Sequence, residues 1–201
     1  MSRWKEQAAG PEVPRISLAG TVLVAAPHLS DAVFGRSVCI VVEHTKEQAV
    51  GIVLNKRLEI DSSPFWNFIL DGAAVESITS DAHINFGGPT SGPIVAIHQD
   101  KTLAEGGNEF GIYLAAQAEH LKQLVTASQN PFRLYIGHTS WGPTELEQQI
   151  VNGDWHVLPA VPELVFDDES TMWHRAVRTI GNNVLESITG LPASRVVGLL
   201  N

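Results

Sequence analysis

Cysteine is nearly missing from this chain of 201 residues: Cys39 stands alone, so no internal disulfide can form. That excludes a disulfide-framed secreted domain and a Cys-rich zinc centre, and it points to a reducing compartment, the cytoplasm. Charge is also scarce, at 17%, and 13 basic against 22 acidic residues leave a formal −9 with histidine neutral. A chain this acidic is a poor match for a phosphate backbone, so duplex DNA is not an expected partner. Long apolar runs are lacking too. The longest, Val22–Ala26 and Val38–Val42, hold five residues each, against about 20 for a membrane-spanning helix, so no membrane association is expected. The first 15 residues mix Arg3, Lys5, Glu6, Glu12 and Arg15 with prolines and carry no apolar core of a leader. They read as a loose tail before a single domain over 16–201.

What is present is a globular composition, 44% hydrophobic, with strand patterns first and alternating elements after. Thr21–Ala26, Ser37–His44 and Val50–Asn55 read as strands, the last two joined as a hairpin through Thr45–Gln48. His83–Phe86 and Ile94–Gln99 follow, punctuated by Gly87-Gly88-Pro89, which reads as a tight turn. Further strands are expected at Gly111–Ala115, Phe132–Gly137 and Trp155–Leu158. Helices are expected from Pro64, over Gln117–Ala127, over Pro143–Val151, and over Ser170–Ile180, capped by Ser170 and stopped by Gly181. The fold class is α+β with a mostly antiparallel sheet.

The chemistry-bearing patterns are sparse. Eight histidines include no pair at i, i+4, so no metal site and no cofactor is expected. Ser140 has Gly142 two residues after it but His138 two before, so half of a nucleophile elbow fails, and a strand-to-helix turn whose serine bonds locally fits better. Cys39, between Val38 and Ile40, reads as an inert core residue, and Asp167-Asp168-Glu169 as compensation of a helix dipole. The hairpin supplies two polar ends. With His44 near Ala49, Ser37 falls opposite Lys56, placing Arg36, Asn55 and Lys56 at one end and Glu43 and His44 at the other. Seven residues of strand separate them, about 23 Å. Asp31 arrives beside the first set through the Pro27–Asp31 loop. Asp31, Arg36, Asn55 and Lys56 form a candidate site for a small anion or a partner's carboxylate; a structural salt bridge from Asp31 to Arg36 or Lys56 is the alternative. Glu43 and His44 are a second candidate cluster.

These residues also carry a family likeness. The run Gly20–Pro27, then Asp31, Phe34, Arg36–Val38, Glu43-His44, Gly51 and Asn55-Lys56, resembles the opening of the bacterial YqgE/AlgH family. The likeness continues through Gly87-Gly88-Pro89, Ile97-His98, Trp141-Gly142-Pro143, Asp154-Trp155, Leu164–Phe166 and Trp173, covering roughly residues 16–181. Arg57, Ser140 and Glu145 depart from the family's usual proline, glycine and glutamine, and Thr189–Asn201 replaces its usual Gly-His-Ala ending. The resemblance implies an α+β fold with a bifurcated, partly barrel-like sheet surrounded by helices. Some members carry a transcriptional-regulator label. Two functions are compatible with the residues. One is a non-enzymatic regulatory or accessory protein that binds a protein or small molecule, with its assembly state open. The other is a hydrolase using Ser140 with His98 or His138 as base.

Overall fold

The two apolar runs become strands that are buried on both faces, which is why they lack polar alternation. The computed structural model describes residues 17–58, 61, 63–70 and 83–190. The N-terminal stretch 1–15 and the ending 191–201 lie outside the described residues. The elements are β1 (Thr21–Ala25), β2 (Val38–His44), β3 (Ala49–Val53), α1 (Ser63–Leu70), β4 (Ile84–Phe86), β5 (Thr90–His98), β6 (Gly106–Gly107), β7 (Tyr113–Ala115), α2 (Ala118–Ala127), β8 (Phe132–Trp141), α3 (Glu145–Val151), β9 (Trp155–Pro159), α4 (Pro162–Val165) and α5 (Glu169–Thr189).

The strands run in the order β6-β7-β5-β8-β3-β2-β1-β9, all antiparallel, and β4 pairs in parallel with β8. This curled half-barrel with its helices is the expected α+β fold. β8 is the shared strand. Its first part pairs with β4 and β5, its last with β3. It changes partners at Gly137, whose φ of +77° only glycine adopts readily. The Gly87-Gly88 backbone crosses there so closely that a Cβ on Gly88 would lie 2.2 Å from the His138 carbonyl carbon. The glycine pair therefore serves a backbone crossing as well as a turn.

One sheet face buries Val22, Val24, Val38, Ile40 and Ile52 under Met172, Trp173 and Ala176 of α5. The opposite face buries Leu23, Cys39 and Val41 under Leu146 of α3, beside Trp141 and Trp155. A third cluster seats α1 and α2 against β5 and β8.

Several local expectations are corrected. β8 continues past Gly137 to Trp141, so residues 138–141 are strand rather than turn, because Ala49–Gly51 offers them a partner. α3 begins at Glu145, after Thr144 in the left-handed region. Asp168, not Ser170, caps α5, accepting the Ser170 N–H at 3.0 Å. Gly181 does not stop that helix: it keeps helical rather than left-handed backbone, and a glycine within a helix costs only about 1 kcal/mol. The stop is Gly190, with φ of +66°. The hairpin closes with His44 opposite Ala49, but a bulge between Val41 and Glu43 shifts the rest by one residue. Leu54 N–H consequently bonds the Val38 carbonyl at 2.8 Å, which sets Ser37 opposite Asn55 instead of Lys56.

Candidate functional site

At the hairpin's far end the candidate residues meet the loop that precedes β2. Asn55 extends the ladder with its side chain: its Oδ1 accepts from Val38 N–H, and its Nδ2 donates to the Arg36 carbonyl, both at 2.9 Å. Lys56 Nζ donates to the Gly35 carbonyl at 3.2 Å. Asp31 turns inward on its own loop, accepting Val33 and Phe34 N–H at 2.8 Å. Arg36 sits at φ +55°, its guanidinium 5.7 Å from the Trp173 ring. Among the described residues no ion pair joins Asp31 to Arg36 or Lys56. The set is together, and its contacts run mainly to backbone.

At the near end Glu43 and His44 diverge, as successive strand residues do. Glu43 accepts from Gln48 Nε2 at 3.0 Å. The nearly buried His44 accepts Leu18 N–H on Nδ1 at 3.0 Å and turns Nε2 to Glu147 at 3.4 Å.

Of the residues of the hydrolase alternative, His138 and Ser140 stand two positions apart on β8, and His98 ends β5. His98 lies opposite Phe132, eight positions from Ser140, about 26 Å away at ~3.3 Å per residue. Burial pushes the His98 pKa below its ordinary value; Nδ1 accepts Asp100 N–H at 3.2 Å, and Nε2 has no well-aligned partner. Ser140 is exposed and pairs with Val50. Cys39 is wholly buried, which pushes its thiol up to about 12 despite contact with Ser37 Oγ and the charge of Lys56. Such a thiol is inert.

Sequence reasoning missed a polar cluster around Glu169. Its carboxylate receives His83 Nε2 and Asn85 Nδ2 at 3.0 Å and Arg57 Nε at 3.2 Å. Burial works to raise its pKa, but the His83 hydrogen bond and charge, with Arg133 and Arg57, hold it at about 2. Arg133 donates to the carbonyls of Val165, Phe166 and Asp167 at 2.6–3.2 Å. The cluster ties α4 and the start of α5 to β4 and β8. Among the described residues, no group of three His, Cys, Asp or Glu is arranged to hold a metal, and no helix is long and apolar enough to cross a membrane.

Beside the part of the concave face that α5 covers, a groove is left. It comprises two adjoining recesses of ≈ 710 and ≈ 420 Å³ that share Val42 and Leu114. Both edge strands border it, through Gly107 of β6 and Val157 and Leu158 of β9. Asn108, in the larger recess, is spent on structure: Nδ2 donates to the Gly20 and Ala160 carbonyls, and Oδ1 accepts from Phe110 and Ile112 N–H. Glu105 and His138 are the polar side chains of the smaller recess. Glu105 accepts Ala116 and Gln117 N–H and His120 Nδ1 at 2.7–3.1 Å. These bonds outweigh burial and hold its carboxyl below the usual range. The His138 ring has no hydrogen bond or ion pair among the described residues.

A family model described as AlgH-like matches residues 22–185. The chain belongs to the AlgH-like family. Among AlgH-like relatives, a UPF0301 protein of Histophilus somni is 32% identical over 168 residues, covering 79% of this chain and 88% of the relative. A UPF0301 protein of Chlamydia caviae is 28% identical over 169 residues, covering 81% and 86%. The crystal structure of a Corynebacterium diphtheriae protein aligns with TM-score 0.61 at 27% identity, covering 82% of this chain and 88% of that one. The solution structure of AlgH from Pseudomonas aeruginosa aligns with TM-score 0.66 at 20% identity, over 95% and 98%, a likeness of fold.

Proposed function

We propose that this AlgH-like chain is a non-catalytic accessory or regulatory protein of the cytoplasm that acts by holding an apolar ligand or partner segment in the half-barrel groove. The observation that carries the reading is the groove: an apolar concavity of ligand size whose carboxylate, Glu105, already has its donors. The about 26 Å between the positions of His98 and Ser140 argues against that serine–histidine pair. The hairpin-end residues Asp31, Arg36, Asn55 and Lys56 act as a clamp on the loop before β2, because Asn55 and Lys56 bond its backbone. Duplex DNA is not the partner, given the −9 charge.

The test uses N-phenyl-1-naphthylamine, an apolar dye that brightens when taken out of water. Saturable brightening with the folded chain is expected, and Leu114→Trp, which fills the junction of the recesses, abolishes it. Equal brightening by that variant, or none by the wild type, overturns the reading.

A further inference from the structure

The groove's lining also selects a ligand class, an inference that rests on the groove being the binding site. We infer that it takes a single-chain amphiphile with an uncharged carbonyl head, such as an ester or amide, the chain lying along the groove and the carbonyl accepting a hydrogen bond from His138.

Shape comes first. The two recesses meet at Val42 and Leu114, so apolar surface is continuous from β9 past β2 to β8, which suits an elongated ligand. Val42, Val95 and Leu114 pack on the main core yet stay partly exposed. A hydrocarbon chain would remove that surface from water.

The head follows from the polar groups. In the smaller recess the His138 ring nitrogens have no partner among the described residues. Gly92 backs the ring on its Nδ1 side, where even a Cβ would lie only 2.7 Å from that nitrogen, so Nε2 is the atom left for a ligand. An Nε2–H donates one bond, and a carbonyl oxygen accepts it. Glu105 carries negative charge in the same recess, and the chain as a whole carries −9. Both oppose a carboxylate or phosphate head. A cationic head would meet a carboxylate whose oxygens already receive Ala116 N–H, Gln117 N–H and His120. An uncharged head meets neither difficulty.

Three probes with the same twelve-carbon chain separate these cases: 1-monolauroylglycerol, laurate and dodecyltrimethylammonium. Each is titrated below its micelle concentration into the full chain, by calorimetry and by displacement of N-phenyl-1-naphthylamine. The neutral ester is expected to bind about tenfold more tightly than either ion. His138→Ala should weaken the ester about fivefold, as for loss of one hydrogen bond, with laurate unaffected and the melting temperature unchanged. Laurate or the ammonium binding as tightly as the ester overturns the inference, as does an unchanged ester affinity in His138→Ala. Dye binding that no probe displaces overturns it while leaving the groove reading intact. No dye binding overturns the groove reading itself.

Discussion

The part of the concave face beneath α5 and the part that forms the groove are built from the same strands, and they differ in what covers them. Under α5, Val24 and Val38 are sealed by Met172, Trp173 and Ala176, and Trp173 Nε1 donates to the Ala25 carbonyl at 2.8 Å. Beside it, Val42, Val95 and Leu114 of the same cluster remain partly exposed. Polar chemistry divides the same way. Glu169 and Arg133 make several bonds that bind the cover to the sheet, while the His138 ring in the groove has no partner among the described residues. A packed interior whose polar groups tie one element to another serves stability; an open apolar concavity with an unpaired polar group serves recognition.

The contrast predicts a graded set of outcomes. Trp173→Ala removes the main plug of the covered part and should cost about 3–5 kcal/mol, read as a lowered urea midpoint. A cost no larger than that of a groove substitution would erase the distinction.

Glu169→Gln tests the polar tie. The folded carboxyl lies at about 2, below its ordinary 4.5. Its stabilisation is therefore complete above about pH 4.5 and is lost as pH falls toward 2. Wild type should exceed the variant by on the order of 2 kcal/mol at pH 7, allowing for solvent on the Arg57 side, with the two converging by about pH 2. A difference independent of pH in urea melts would show that Glu169 acts through packing alone.

Asn55→Ala removes the bonds that hold the hairpin end to its loop. A loss of about 1–2 kcal/mol in thermal unfolding is expected; no loss would return Asn55 to the ligand reading. Val95→Ala, in the groove, should change stability least, by less than about 1 kcal/mol, while weakening dye binding. A larger loss of stability than that of Asn55→Ala would mean the groove is core.

Element types were legible in the residues because they follow from local pattern. The apolar runs at 22–26 and 38–42 imply strands buried on both faces, and Thr45–Gln48 implies the hairpin. Pro64 marks the start of α1, and a cysteine amid β-branched neighbours marks an inert thiol. Register was not legible. The bulge after Val41 adds one residue to one strand, and no residue type announces it. Helix ends needed backbone conformation as well as residue type, since Gly181 continues α5 and Gly190, at φ of +66°, ends it.

The sequence by itself determined the α+β class, the family likeness, the hairpin and the polar set at its far end. Only the tertiary structure decided that Arg57, His83, Asn85, Arg133 and Glu169 converge on one carboxylate. It alone decided that His138 faces an apolar groove shared by β2, β5, β7 and β8. The reason is physical: local pattern records which side chains leave water, whereas the curl of the sheet and the seating of α5 decide which apolar side chains find cover.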